Sequence, residues 1–319
     1  MNSARDIKRR IKSINNTKKI TRAMEMVSAA KMRRSVASVV GIRPYAHSAW
    51  SVLTNLARAF KDHQTGLLEV REVKSVLVIA IASNRGLCGS FNAQVAKKIK
   101  EEIMNPEKLK VNRIGDKKIE STVPNAELKI DFITIGKKGE AMVRRLDKEI
   151  VATFPELTYL PKIEDVRAVA KIAIADYLAK KYDKVAVIYT DFVSAINQQT
   201  KIRQILPVSK VDIEKQIAEM DSAAKEYGLK EPEIEYKIEP SPKELLDYIF
   251  PRLIEMQIYH AILESNASKE SSRMLAMRNA TDAAGEMAEG LTLAYNQLRQ
   301  AKITQEIAEI SAGKATLEG

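Results

Sequence analysis

The two ends of this chain lack helix breakers over lengths that no small domain can hide. From Met1 to Val40 there is neither Gly nor Pro; from Arg252 onward there is no Pro, and Gly285 and Gly290 are the only glycines before Gly313. At the N-terminal end Ile7, Ile11, Ile14, Thr17, Ile20, Met24, Val27 and Ala30 recur in steps of three and four, the spacing of one helix face laid along a partner. Ser3 and Asp6 resemble a capping pair at its start. Pro44 is expected to kink or interrupt this helix, with the pattern resuming at Ala49, Val52, Leu53, Leu56 and Phe60 and ending near Gly66.

The C-terminal pattern is cleaner. Met274, Met277, Thr281, Ala284, Ala288, Leu291, Tyr295 and Leu298 alternate by three and four without a break, which is a heptad seam. Its small members, with Gly285 beside them, let two helices approach closely. At the helical rise, residues 3–58 would span roughly 80 Å and residues 243–311 roughly 100 Å, against about 30 Å for a small domain. The two ends therefore pair with each other, antiparallel, around a compact middle. The C-terminal helix is the longer, so residues beyond about Lys302 overhang. There the stripe moves to Ile303, Ile307 and Ile310, as if the partner changed.

The middle, roughly 70–240, alternates strand-like runs (Ser75 to Ser83, Ile130 to Ile135, Lys184 to Thr190) with helical ones (Ser90 to Ile103, Lys137 to Leu146, Glu164 to Lys180). That alternation predicts a small, mostly parallel, doubly wound sheet. Phe192 to Val208 reads as an antiparallel hairpin at its edge, and Asn105–Leu128 and Val211–Glu233 as polar surface excursions. The expected division is 1–66 for the N-terminal helix, 67–240 for the α/β domain and 241–319 for the C-terminal helix.

Charge separates the helices from the middle. Residues 1–60 carry thirteen Lys and Arg against Asp6 and Glu25, an excess equal to the net +11 of the whole chain. A basic helix suits nucleic acid, an anionic membrane surface or an acidic protein partner. No apolar run reaches the roughly 18 residues of a membrane span, and the first residues lack a signal peptide's apolar core, so a cytoplasmic workplace is expected. The single cysteine, Cys88, forms no internal disulfide and suits a reducing compartment.

No chemistry stands out. The turn from Ser83 to Asn92 holds Gly86 and Gly89 but neither GxGxxG nor Gly-Lys-Ser/Thr, so a tight turn is favoured over a nucleotide site. His47, His63 and His260 are scattered, which leaves Cys88 and Ser90 without a base and gives no metal-ligand spacing. Catalytic residues, metal and cofactor are all expected to be absent. A basic coiled-coil adaptor for nucleic acid or anionic membrane, and an α/β enzyme with helical arms, stand as alternatives from other classes.

Three stretches resemble the signatures of ATP synthase gamma subunits: Ile14-Asn15-Asn16-Thr17-Lys18-Lys19-Ile20-Thr21-Arg22-Ala23-Met24-Glu25-Met26-Val27 and on to Met32, Ser272-Arg273-Met274-Leu275-Ala276-Met277-Arg278-Asn279-Ala280-Thr281, and Leu293 to Ile310. Arg85-Gly86-Leu87-Cys88-Gly89 adds a shared turn. The resemblance implies a non-catalytic rotor of the bacterial F-type ATP synthase, on the cytoplasmic face of the membrane. Its fold would be a long antiparallel coiled coil with a central Rossmann-like α/β domain. Implied partners are the alpha and beta subunits of the catalytic hexamer, the epsilon subunit and the c-subunit ring, with no nucleic acid and with the membrane reached only through the complex. By the same resemblance Met24, Arg273, Arg299, Gln300, Thr304 and Glu306 meet the catalytic subunits or link the two helices, and Ile303, Ile307 and Ile310 bear on the hexamer's apolar collar. Asn105–Leu128 is longer than in compact bacterial members, and the lone Cys88 excludes the dithiol switch of the chloroplast type.

Overall fold

The Val/Ile-rich runs of the middle segment form a five-stranded sheet. In the computed structural model, which describes residues 4–59, 66–114, 117–155, 157–208 and 242–318, its strands are β1 (Ser75–Ile81), β4 (Lys129–Ile135), β5 (Ile150–Phe154), β6 (Lys184–Phe192) and β7 (Gln198–Leu206), in the order β5-β4-β1-β6-β7. All pairs are parallel except β6 with β7; the run from Phe192 to Val208 supplies one edge strand, β7, and its hairpin partner is β6 itself rather than a second strand within that run. The pleat sends alternate residues to opposite faces. Leu77, Ile79 and Ile81 of β1 join Val166, Val169 and Ala173 of α5 (Ile163–Leu178) and Ile254, Ile258 and Ile262 of α6 (Pro242–Glu318). Val76, Val78 and Ala80 meet Phe91, Val95 and Ile99 of α2 (Phe91–Met104) and Val143 of α4 (Lys137–Arg144) on the other. Helices on both faces make the sheet doubly wound.

Two parts of the middle depart from expectation. The short strand β5 is absent from the expected elements although Ile150-Val151-Ala152-Thr153-Phe154 is an apolar, β-branched run; it is only five residues long and half-buried throughout. Asn105–Leu128 is more than a surface excursion: it folds into α3 (Glu107–Lys110) and an antiparallel ribbon of β2 (Val111–Ile114) and β3 (Lys117–Glu120). Leu109 is fully buried, and the Lys184 ammonium donates to the carbonyls of Lys108 and Val111 at 2.8 and 2.5 Å. Asn112 Nδ2 donates to the Arg71 carbonyl at 3.0 Å and Ser121 Oγ to that of Val73 at 2.7 Å. The anchors are polar and largely backbone, so hydrophobic periodicity carries no trace of them. The segment Val211–Glu233 lies outside the described residues.

The long ends are helical as read. α1 (Ala4–Ala59) has 56 residues and α6 has 77; the helix continues through position 44, and the side chains of the stripe expected from Ala49 lie outside the described residues. By internal packing the chain forms two units, Met1–Ala29 with Arg273–Gly319, and Ala30–Ser272. Within the first, Thr281 Oγ1 lies 2.7 Å from Thr21 Oγ1, and a Cβ on Gly285 would stand 2.9 Å from Lys18 Nζ. These two contacts run in opposite senses along the two helices, so the pair is antiparallel. They set Ile14 level with Ala288, Ile11 with Leu291 and Ile7 with Tyr295.

The C-terminal seam holds from Met274 to Tyr295, every member buried or half-buried, but Leu298 is exposed. The N-terminal seam departs from its reading after Ile14. It continues through Lys18, Thr21, Glu25 and Ser28, whereas Thr17, Ile20 and Val27 face out, Ile20 at 60% and Val27 at 55% exposure. An unbroken alternation of three and four from Ile7 arrives at Lys18 and Thr21, which are not apolar. The glycine opposite explains the lysine: without a Cβ at position 285, the aliphatic stem of Lys18 can lie across the partner helix.

Candidate functional site

In doubly wound folds ligands enter the crevice at the carboxyl ends of the strands where strand order reverses, here between β1 and β6. This chain fills that crevice from within. Thr190 lies two residues past the last β1–β6 pair, Ala80 with Ile188. Its amide donates to Ser265 Oγ at 3.0 Å, and its carbonyl accepts from Ser268 Oγ at 3.1 Å. Both serines belong to α6 and are buried. The strand's leftover backbone groups are thus satisfied by the helix.

The glycine turn after β1 is equally self-contained. Ser83 is fully buried, and its Oγ donates to the Arg85 carbonyl at 2.6 Å. Asn92 Nδ2 reaches Ser83 Oγ at 2.7 Å and Cys88 Sγ at 3.1 Å. The thiol's other neighbours are Ser83 Oγ and the Arg85 carbonyl, both at 3.9 Å, so no base touches it. At the start of α2, Phe91 N donates to the Cys88 carbonyl and Gln94 N to that of Ser90. Asn84 Oδ1 takes the Lys137 amide at the start of α4. Gly136, at φ +93°, packs so closely that an added Cβ would meet the Ala82 carbonyl oxygen at 2.4 Å.

Buried ionisable groups mark active sites when their neighbours are arranged for chemistry; here they tie elements together. The Tyr182 hydroxyl donates to Asp131 Oδ2 at 2.6 Å, and Lys129 Nζ stands 3.1 Å from the same oxygen. Burial first, and then the bond to Asp131, raise this phenol far above its ordinary range. Tyr177, stacked under the Arg71 guanidinium at 4.5 Å, is pushed up to about 12 chiefly by burial, and its hydroxyl donates to the Glu69 carbonyl at 2.5 Å. Among the described residues no group of three His, Cys, Asp or Glu could hold a metal ion. No described helix is long and apolar enough to cross a membrane.

The residues singled out from sequence fall in two places on the first unit. Met24 and Arg273 are half-buried, and the antiparallel register brings them toward the same end of the pair. Arg299, Gln300, Ile303, Thr304, Glu306, Ile307 and Ile310 form one continuous stretch of α6 in which every residue is exposed. Ala4, the first described residue of α1, is level with Leu298, so this stretch has no described helix beside it. Its hydrogen bonds and ion pairs stay within the helix: Thr304 Oγ1 on the Gln300 carbonyl at 3.0 Å, Lys302 with Glu306 at 3.6 Å, and Gln305 with Glu309 at 2.8 Å. Ile303, Ile307 and Ile310 are 47%, 60% and 73% exposed. Ile20, Val27, Met287 and Leu293 add large exposed apolar side chains outside the seam; extending the heptad count through Lys18 and Thr21 would have found the first two.

A doubly wound domain whose ligand crevice is closed by its own helix, joined in sequence to a long antiparallel helical pair with an exposed apolar end, defines a structural and coupling protein. A family model described as ATP synthase matches residues 3–317. The chain is 38% identical to the ATP synthase gamma chain of Roseiflexus castenholzii, with 99% of each chain covered. It is 38% identical to that of Desulforudis audaxviator over the full length of both, and 39% identical to that of Chloroflexus aurantiacus over 99% of each. The chain belongs to the ATP synthase gamma chain family. Among solved structures, a chain of the Euglena gracilis mitochondrial ATP synthase rotor superposes with a TM-score of 0.57 at 18% identity, covering 94% of this chain and 98% of that one. A chain from the Tetrahymena thermophila central stalk and c-ring gives 0.55 at 22% identity, covering 82% and 99%.

Proposed function

We propose that this chain is the central-stalk rotor of a bacterial F-type ATP synthase, coupling ion flow through a membrane ring to the conformational cycle of catalytic beta subunits. It is not itself a catalyst. Its partners are the alpha and beta subunits of the catalytic hexamer, the epsilon subunit and the c-subunit ring, and it works at the cytoplasmic face of the membrane. In functional terms residues 1–66 and 241–319 form the shaft and residues 67–240 the foot. Membership of the gamma chain family supports the rotor reading, and the basic N-terminal helix fits apposition to acidic surfaces of beta.

One observation carries the assignment of contacts: a helical stretch past the end of the pair that exposes Ile303, Ile307 and Ile310. Full burial of such a side chain is worth about 1.5–3 kcal/mol, a gain this chain leaves to a surrounding surface. Those isoleucines therefore act as a bearing in the collar of the hexamer, with Arg299, Gln300, Thr304 and Glu306 beside them on the same stretch. Met24 and Arg273 meet the catalytic subunits nearer the other end of the pair. Truncation after Gln300 tests this. The free subunit should keep its melting transition, while the assembled complex loses thermal stability and part of its torque. A large drop in the free subunit's melting temperature would instead place the isoleucines in an intramolecular core.

A further inference from the structure

The α/β unit grips α6 in two chemically different ways. Along one stretch the grip is apolar, through Leu253, Ile254, Ile258, Ala261 and Ile262. Further along, four buried serines take over. Ser265 and Ser268 hold the amide and carbonyl of Thr190. Ser271 Oγ donates to the Ala195 carbonyl at 2.6 Å, and Ser272 Oγ to Gln198 Oε1 at 3.0 Å. Gln198 Nε2 returns to the Ala195 carbonyl at 2.8 Å. A single row of hydroxyls on α6 is thus stitched to β6 and to the turn of the β6–β7 hairpin. On another side of the same helix, Asn266 Nδ2 donates to the carbonyls of Thr158 and Tyr159 at 3.3 and 3.2 Å. The Tyr159 loop also holds α1, through Arg34 Nη1 on the Tyr159 hydroxyl at 3.2 Å and Ser35 Oγ on its carbonyl at 3.4 Å.

Apolar contact is non-directional, so a helix can turn a few degrees on such a surface by exchanging one contact for another. Hydrogen bonds weaken steeply with angle. A small rotation of α6 about its own axis would carry Ser265 and Ser268 away from Thr190 and leave a fully buried amide and carbonyl unpaired, the costly outcome for buried polar groups. Packing alone does not require serine here. Alanine would fill nearly the same space and favour the helix more. What the hydroxyls add is resistance to turning.

We propose that Ser265, Ser268, Ser271 and Ser272 form a torsional lock that fixes α6 in rotation against the sheet, so that a turning moment on the α/β unit passes into the helix without slip. They are positioning residues, and the proposal rests on the rotor reading above. The test uses this chain assembled with its catalytic hexamer, with a rod probe on a cysteine introduced at the exposed Glu107 (E107C) of the α/β unit. Angular variance of the probe is measured in the nucleotide-stalled complex, and ATP hydrolysis is measured without load. In S265A/S268A/S271A/S272A the variance should rise about twofold or more, as directional bonds give way to non-directional contact, while unloaded hydrolysis stays at the parental rate. If the fourfold variant fails to assemble, S271A/S272A, which touches the hairpin turn at Ala195 and the first residue of β7, Gln198, carries the same measurement. Variance unchanged from the parent overturns the lock, as does failure of the pair variant to fold, which would make the serines a requirement of the fold. A parental complex whose probe does not rotate under ATP would sink the rotor reading itself.

Discussion

The hydroxyl pair inside the helical coil allows a quantitative test of its register. Thr281 Oγ1 lies 2.7 Å from Thr21 Oγ1 and 2.8 Å from the Met277 carbonyl, and Thr21 Oγ1 lies 3.1 Å from the Lys18 carbonyl. Each hydroxyl has one proton, so the bond between helices forms with Thr281 donating to Thr21 while Thr21 donates to the Lys18 carbonyl. Thr281→Val keeps the shape, leaves Thr21 bonded within its own helix, and removes only the bond between helices, a net loss of about 0.5–1.5 kcal/mol. The methyl that replaces the hydroxyl returns up to about 0.8 kcal/mol. Thr21→Val removes the same bond from the other side. The double variant loses that bond once but gains both methyls, so it should be no less stable than either single variant. The two single effects should overshoot the double by about 0.5–1.5 kcal/mol, the worth of the shared bond. Urea unfolding of the isolated subunit, followed by far-ultraviolet circular dichroism, measures the cycle. Additivity within about 0.3 kcal/mol would mean that the hydroxyls do not pair, and the register drawn from them would fall.

Two further outcomes follow from local geometry. Gly290 has open space where a Cβ would go, whereas a Cβ on Gly285 meets Lys18 Nζ at 2.9 Å. G290A should therefore stabilise the free subunit by about 1 kcal/mol, and G285A by clearly less; equal gains in thermal unfolding would contradict the close approach of Lys18. The second outcome concerns alkaline pH. Burial, foremost, raises Tyr177 from the ordinary phenol value of 10.0 to about 12 and Tyr182 beyond that. The folded state thus holds these protons more tightly than the unfolded one, and their contribution to stability is complete below about pH 10 and drains away as pH rises through and beyond about 12. Phenolate absorbance should show Tyr177, Tyr182 and Tyr259, which burial also raises, lagging in the native protein and titrating with the rest in denaturant; simultaneous titration of all tyrosines in the folded protein would refute the burial argument.

What could be read from the sequence follows from where the burial lies. The central strands β1, β4 and β6 were legible because both faces of the sheet are covered, which makes each a continuous apolar run. The seam of α6 was legible because Met277, Ala284, Ala288 and their neighbours are buried against a helix of the same chain. Apart from the short, half-buried β5, the features that escaped are held by polar groups. The β2–β3 ribbon hangs on Asn112, Ser121 and the Lys184 ammonium, and α6 meets the hairpin through serines, a residue type that in sequence suggests a cap or a turn rather than a helix face.

The misreading of α1 has a different cause. Apolar periodicity reports burial without saying whose surface does the burying. Up to Ile14 the stripe and the seam coincide. Beyond it Ile20 and Val27 carry the stripe outward, while Lys18, Thr21 and Ser28 carry the seam inward. A monomeric protein gains little from large aliphatic side chains on a helix face turned to water. A shaft enclosed by other subunits needs two faces on one helix, a narrow one of small and amphipathic residues for its own partner and an apolar one for the sleeve. On the rotor reading, the departure from the seam at Ile20 and Val27 and the shift of the α6 stripe to Ile303, Ile307 and Ile310 are the same signal at two places: apolar residues that leave the internal heptad mark where burial passes from the chain's own helix to its neighbours.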